Sequence, residues 1–167
     1  MSKPRVILAI DPGNTESGWA LIQMPEFMLL EFGKWENTKL LEELPRLAKV
    51  DQVCIEMVAS YGMAVGKDVF ETCVWIGRFI QAIHPQKYTY IYRKDEKTTL
   101  CGTMKAKDSN IRQALIDRYA VFDFKSGKGT KKNPDTFYGV SKDVWQAIAI
   151  GVTHYEMEQE KWEKEKN

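Results

Sequence analysis

The apolar positions along the chain change period several times, and each change marks an element. Arg5–Ile10 is a compact run rich in Val and Ile that stops at Asp-Pro-Gly-Asn, the pattern of a buried strand closed by a tight turn. Gly18–Gln23 and Phe27–Phe32 are two further apolar stretches separated by a short spacer at Pro25 and Glu26, which predicts a hairpin. The opening therefore reads as a three-stranded antiparallel meander. Leu40–Leu47 has amphipathic helical spacing with Pro45 placed awkwardly inside it. Gln52–Glu56 is a short strand that ends on an acid, and Val65–Ile83 is a long helix without proline. Tyr88–Tyr92 alternates aromatic and β-branched residues as a strand does. Ser109–Tyr119 is helical, with Asp108 or Ser109 as its N-cap. Lys125–Tyr138, rich in Gly, Lys, Asn and Pro, reads as a flexible basic loop. Val140–Met157 is a second long helix, followed by a charged tail. Three strands, then helix–strand–helix–strand, then helices, describe an α/β protein with a mixed sheet.

At 167 residues the chain has the size of one domain, taken as residues 1–158 with a tail at 159–167. No apolar run approaches the roughly 18 residues of a membrane span, and the N-terminus lacks the pattern of a signal peptide. Three well-separated cysteines, Cys54, Cys73 and Cys101, argue against a disulfide framework and a zinc site and point to a reducing, cytoplasmic setting. The net charge of +1 conceals an asymmetry. Residues 87–132 carry 12 Lys and Arg against 5 Asp and Glu, while the segments on either side are net acidic. A basic block of this kind is a candidate polyanion surface.

Three acids stand out by position. Asp11 ends the first strand, Glu56 ends the fourth, and Asp143 opens the last helix. In open α/β sheets functional groups gather at the carboxyl ends of strands. Each acid also has a plain structural reading: Asp before Pro-Gly forms turns, and Asp early in a helix suits its dipole. Glu56 resists that reading, because Val53–Val58 is otherwise apolar and a lone buried carboxylate is costly. Together with the basic block, the three suggest a Mg²⁺ site, since Mg²⁺ favours oxygen ligands and binds through one or two carboxylates plus substrate phosphate. Two ions about 3.5–4 Å apart would clamp both oxygens of a phosphodiester displacement.

These same segments resemble RuvC-type Holliday junction resolvases. The similar blocks are D-P-G-N-T-E-S-G-W-A at Asp11–Ala20, I-E-M at Ile55–Met57, K-T-T-L-C-G at Lys97–Gly102, A-K-D-S-N-I-R-Q-A at Ala106–Ala114, and D-V-W-Q-A-I-A-I-G-V-T-H at Asp143–His154. They occur in the family's order and span nearly the whole chain. The resemblance implies a ribonuclease H-like fold: a five-stranded mixed sheet, with the antiparallel meander extended by two parallel strands and flanked by helices. It implies a homodimer that makes paired nicks in branched DNA with two Mg²⁺ ions, or Mn²⁺ in their place. Asp11, Glu56 and Asp143 match the metal-binding carboxylates, and Lys97 and Lys107 match lysines placed near the scissile phosphate. Tyr61 and Met63 fall where the family contacts the junction centre, and Lys105, Lys125, Lys128, Lys131 and Lys132 are candidate DNA contacts.

One position departs from the family. Its last helix usually carries two acids three residues apart, whereas Asp143 is followed at that spacing by Gln146. A Gln oxygen can coordinate a hard cation without adding charge, and Asp135 is a candidate substitute from the preceding loop. This departure and the Lys-rich loop resemble divergent bacteriophage enzymes, which would place the protein in the cytoplasm of a bacterial host. Competing readings are a non-catalytic branched-DNA-binding protein and a ribonuclease acting on RNA–DNA hybrids. An actin-like ATPase needs a much longer chain, so no nucleotide cofactor is expected. His84 and His154 carry no ligand signature.

Overall fold

The first strand, β1 (Arg5–Asp11), is buried on both faces. Its side chains alternate with the period of two that a pleated strand imposes: Ile7 and Ala9 enter one apolar core, Leu8 and Ile10 the other. In the computed structural model, which describes residues 3–167, β1 is the centre of a five-stranded sheet ordered β3-β2-β1-β4-β5. The strands β2 (Glu16–Met24) and β3 (Met28–Glu36) continue from β1 as an antiparallel meander. On its other side β1 pairs in parallel with β4 (Gln52–Glu56), which pairs in parallel with β5 (Tyr88–Ile91). The mixed sheet expected from the sequence is thus the one observed.

Helices cover both faces. On one side α1 (Asn37–Leu47) and α2 (Lys67–Ile83) bury Leu40, Leu44, Leu47, Ile76 and Phe79 against Leu8, Ile10, Val53 and Ile55. Pro45 lies in the last turn of α1, where the helix tolerates it and soon ends. On the other side lie α3 (Arg93–Cys101), α4 (Asp108–Tyr119) and α5 (Lys142–Lys166). Gly151 lets α5 lie close on the sheet: a Cβ there would stand 2.7 Å from Ile22 Cδ1 and 3.2 Å from the Ala9 Cβ.

The structure corrects several sequence readings. α3 is an element that the apolar pattern did not show, because only Leu100 and Cys101 supply apolar side chains in Arg93–Cys101. Its start is fixed by Asp95, whose carboxylate accepts the Tyr92 N–H at 2.9 Å, and its end by Gly102 at φ 72°. α4 is preceded by Lys107 rather than capped by Asp108 or Ser109, and Asn110 Oδ1 accepts the Lys107 N–H at 2.8 Å. The helix α5 runs on through the charged residues 159–166, as a continuation of the last helix. The segment Lys125–Tyr138 is not a free loop. Asp123 accepts the N–H groups of Lys125, Ser126 and Gly129, and Asp135 accepts those of Val121, Phe122, Asp123 and Thr136. Phe137 anchors this segment in the core, its ring centroid 4.5 Å from that of Trp145. Among the described residues, no helix is long and apolar enough to cross a membrane, and the three cysteines are unpaired.

Candidate active site

Parallel pairing brings the first two acids together. Ile10 is in register with Ile55, so Asp11 and Glu56, the next residues along, leave adjacent strands at the same edge of the sheet. The turn after Asp11 is held by a small polar network. Buried Ser17 donates to Asn37 Oδ1 at 2.6 Å and accepts the Gly13 N–H at 3.2 Å, and Asn37 Nδ2 donates to the Gly13 carbonyl at 2.8 Å. Gly13 is required there, because a Cβ would fall 2.3 Å from the Glu16 carbonyl oxygen.

The third acid arrives by close packing. Gly18 pairs with Asp11 across the β1–β2 ladder. The first turn of α5 rests on that glycine, leaving no room for a side chain between Gly18 and the Asp143 backbone. Asp11, Gly18 and Asp143 consequently line one cavity of about 290 Å³, together with Glu16, Lys34 and residues 12–15.

A fourth acid joins them from α3. Glu96 has no exposed surface. Gln146 Nε2 donates to its Oε1 at 3.0 Å, and Arg93, which also pairs with Asp108, lies 3.3 Å from the same oxygen. The remaining oxygens, Glu96 Oε2 and Glu56 Oε2, are buried without a hydrogen-bond partner.

The electrostatics follow from this crowding. Burial, then the nearby charges of Glu56 and Asp143, push Asp11 up to about 8, against the opposing pull of Arg93 and Lys34. Burial also raises Glu96 well above the usual carboxylate range, and the close Glu56 carboxylate adds to the effect. Lys34, from β3, supplies local positive charge. Its Nζ lies 2.6 Å from Asp143 Oδ2 and 3.2 Å from Glu16 Oε2, and these contacts hold its proton more tightly than usual.

The donor set suits a hard divalent cation: it consists of carboxylates, two of which present buried oxygens with nothing to bind. Among the described residues no three acids, His or Cys are drawn tightly enough together to hold an ion as they stand. Lys34 engages Asp143, while Gln146 and Arg93 engage Glu96.

Other sequence candidates fall around this centre. Gln146 is at the site, but its amide nitrogen is committed to Glu96. Asp135 lines neither cleft at Asp143. Burial opposes ionisation there, but four backbone N–H donors overcome it and hold the carboxyl below its usual range. Lys97 is half-buried on α3 beside Glu96, and exposed Lys107 immediately precedes Asp108, the partner of Arg93. Arg112 and Lys142, which the sequence reading passed over, line a small cleft with Asp143 and Gln146. Tyr61 and Met63 are 65% and 77% exposed in the segment that leaves Glu56. Lys105, Lys125, Lys131 and Lys132 are exposed and Lys128 is half-buried. His154 lies further along α5 beside Glu158.

The architecture is a ribonuclease H-like fold of the RuvC kind. Solved structures share it, two of them RuvC structures. One, T. thermophilus RuvC in complex with Holliday junction substrate, superposes with a TM-score of 0.69 at 15% identity, covering 92% of this chain and 94% of that one. The other, a Thermus thermophilus RuvC structure, gives 0.70 at 16% identity, covering 92% and 95%. No protein-family model matches the chain, and no curated protein matches it in sequence.

Proposed function

We propose that this protein is a metal-dependent endonuclease that nicks four-way and other branched DNA by phosphodiester hydrolysis. The observation that carries the reading is the gathering of Asp11, Glu56 and Asp143 at one edge of the sheet, with Asp11 pushed up by burial and by its acidic neighbours. Crowded carboxylates are costly without a cation. A RuvC of the same fold is described in complex with a Holliday junction substrate.

Asp11, Glu56 and Asp143 would hold Mg²⁺ or Mn²⁺. A bound divalent ion supplies Lewis acidity, neutralising phosphate charge and making a nearby water more acidic. The chain's own groups do the rest. Lys97 and Lys107 offset charge that builds on the scissile phosphate. Lys105, Arg112, Lys142 and the lysines of the anchored loop grip the backbone electrostatically. Tyr61 and Met63 offer exposed apolar surface to an unpaired base at the branch point. Exposed Phe70 and Val74, one helical turn apart on α2, provide the apolar stripe through which two copies would pair, giving two active sites for two nicks. The departures at Gln146 and in the Lys-rich loop fit a divergent enzyme of bacteriophage type.

The test is cleavage of a synthetic four-way junction with Mg²⁺ or Mn²⁺, beside flaps, forks and an RNA–DNA hybrid. Wild-type protein is expected to nick the branched DNAs, and Asp11→Asn to bind the junction without cutting it. Full cleavage by purified Asp11→Asn would overturn the assignment. The Lys34–Asp143 ion pair favours a second reading, a branched-DNA-binding protein without catalysis. Junction binding in EDTA with no nicking in either metal would establish it.

A further inference from the structure

Glu96 is the acid of this site that neither a strand end nor an apolar helix announces. It lies in the first turn of α3, fully buried, on the side facing α5. Its two oxygens are treated unequally. Oε1 receives both available donors, Gln146 Nε2 at 3.0 Å and Arg93 Nη1 at 3.3 Å. Oε2 has no partner, and neither does the buried Oε2 of Glu56. A buried carboxylate retained for structure uses both oxygens, because an unpartnered buried oxygen carries its full desolvation cost. A carboxylate anchored through one oxygen, with the other left open toward an acidic centre, has the arrangement of a ligand oriented by its outer partners.

Gln146 explains how the arrangement is kept. It lies on α5 three residues beyond Asp143 and so on the same face of the helix. Its amide adds no charge there and instead donates across to α3. The geometry points to Glu96 as a fourth cation-binding carboxylate, oriented by Gln146, so that charge lacking at the second position of α5 is supplied from α3. This rests on the metal-dependent reading above, and its test separates the two.

Mn²⁺ alone is the probe, titrated calorimetrically into full-length protein without DNA and followed in parallel by thermal melting with Mn²⁺ and with EDTA. Glu96→Gln keeps the shape and removes the charge. It is expected to weaken Mn²⁺ binding at least about tenfold and to lose most of the Mn²⁺-induced rise in melting temperature, while melting no lower than wild type in EDTA. Gln146→Met removes the donor at similar volume and is expected to weaken Mn²⁺ binding roughly tenfold with unchanged melting in EDTA. Combining Glu96→Gln with Gln146→Asp returns the charge to α5 and should recover most of the lost Mn²⁺ binding. The inference is overturned by wild-type Mn²⁺ binding in Glu96→Gln. It is equally overturned if that variant melts well below wild type in EDTA with its Mn²⁺ response intact, which would make Glu96 only the ion-pair partner of Arg93. Wild-type protein that neither binds Mn²⁺ nor cleaves junctions overturns the nuclease reading itself. Cleaving wild type with an equally competent Glu96→Gln overturns only the role of Glu96.

Discussion

The Asp143 carbonyl rests on Gly18 so closely that a Cβ built on that glycine would stand 2.5 Å from the oxygen and 3.2 Å from the Asp143 Cβ. This contact joins the start of α5 to the residue paired with Asp11, and so sets the distance between two acids far apart in sequence. Gly18→Ala is expected to push the first turn of α5 outward. Overpacking of this kind costs about 1–3 kcal/mol, and a displacement near 1 Å costs about a hundredfold in rate. Thermal melting and junction cleavage would report the two effects, and unchanged cleavage would show that α5 can shift without disturbing the site.

Asp11 gives the site a pH dependence whose sign can be worked out. In the fold it takes up a proton near pH 8, and in the unfolded chain near 3.8. Between those values the folded, cation-free protein holds a proton that unfolding releases. The stability this provides is complete below about pH 4 and is lost as pH rises through about 8, by roughly 5–6 kcal/mol in all. Asp11→Asn should therefore be progressively more stable than wild type in EDTA as pH rises from 5 to 8. A cation must displace the same proton, so Mn²⁺ affinity of wild type should climb as pH rises toward about 8, by up to about tenfold per unit for this group. Calorimetry from pH 6 to 9 would measure it, and a flat profile would contradict the raised value.

Asp135 is expected to matter for the lysine loop rather than for the metal. Asp135→Ala removes the acceptor of four backbone N–H groups. Trypsin should then cut at Lys125–Lys132 much faster than in wild type, and junction affinity should fall while Mn²⁺ affinity holds. A matching loss of Mn²⁺ binding would place Asp135 back at the site.

The α2 stripe makes a prediction about assembly. Val74, 62% exposed, lies one turn from Phe70 on an otherwise uncovered face of α2. Val74→Asp should convert a dimer into monomers by light scattering without lowering the melting temperature of the isolated chain. A wild-type protein that is monomeric at all concentrations would remove the basis for paired nicking.

Most of the sheet was legible because its strands obey simple patterns. β1 and β4 are short apolar runs ending on an acid, and the acids that end them are the ones the fold makes neighbours. Asp143 was legible for a similar reason, as the acid that opens an apolar helix. Glu96 was hidden because K-D-E-K reads as a solvated charge run, and nothing local shows that one of its four residues turns inward. Lys34 was equally hidden, since a Lys on an edge strand is ordinary and its partners Glu16 and Asp143 come from elsewhere. The order of Lys125–Tyr138 was hidden too. Its composition suggests mobility, whereas its rigidity depends on where two aspartates point.

α5 extends beyond the site that it opens. Fifteen residues after Asp143, Glu158 receives a hydrogen bond from Gln52 at 2.6 Å and pairs with Arg5 at 3.5 Å, at the amino ends of β4 and β1. At 1.5 Å per residue the helix spans roughly 22 Å between these anchors. It is thus a strut seated on glycine at one end and latched at the other. A slip of one residue at the latch would carry Asp143 about 1.5 Å along the axis, so the alignment of the acidic edge is governed in part from the opposite rim of the sheet.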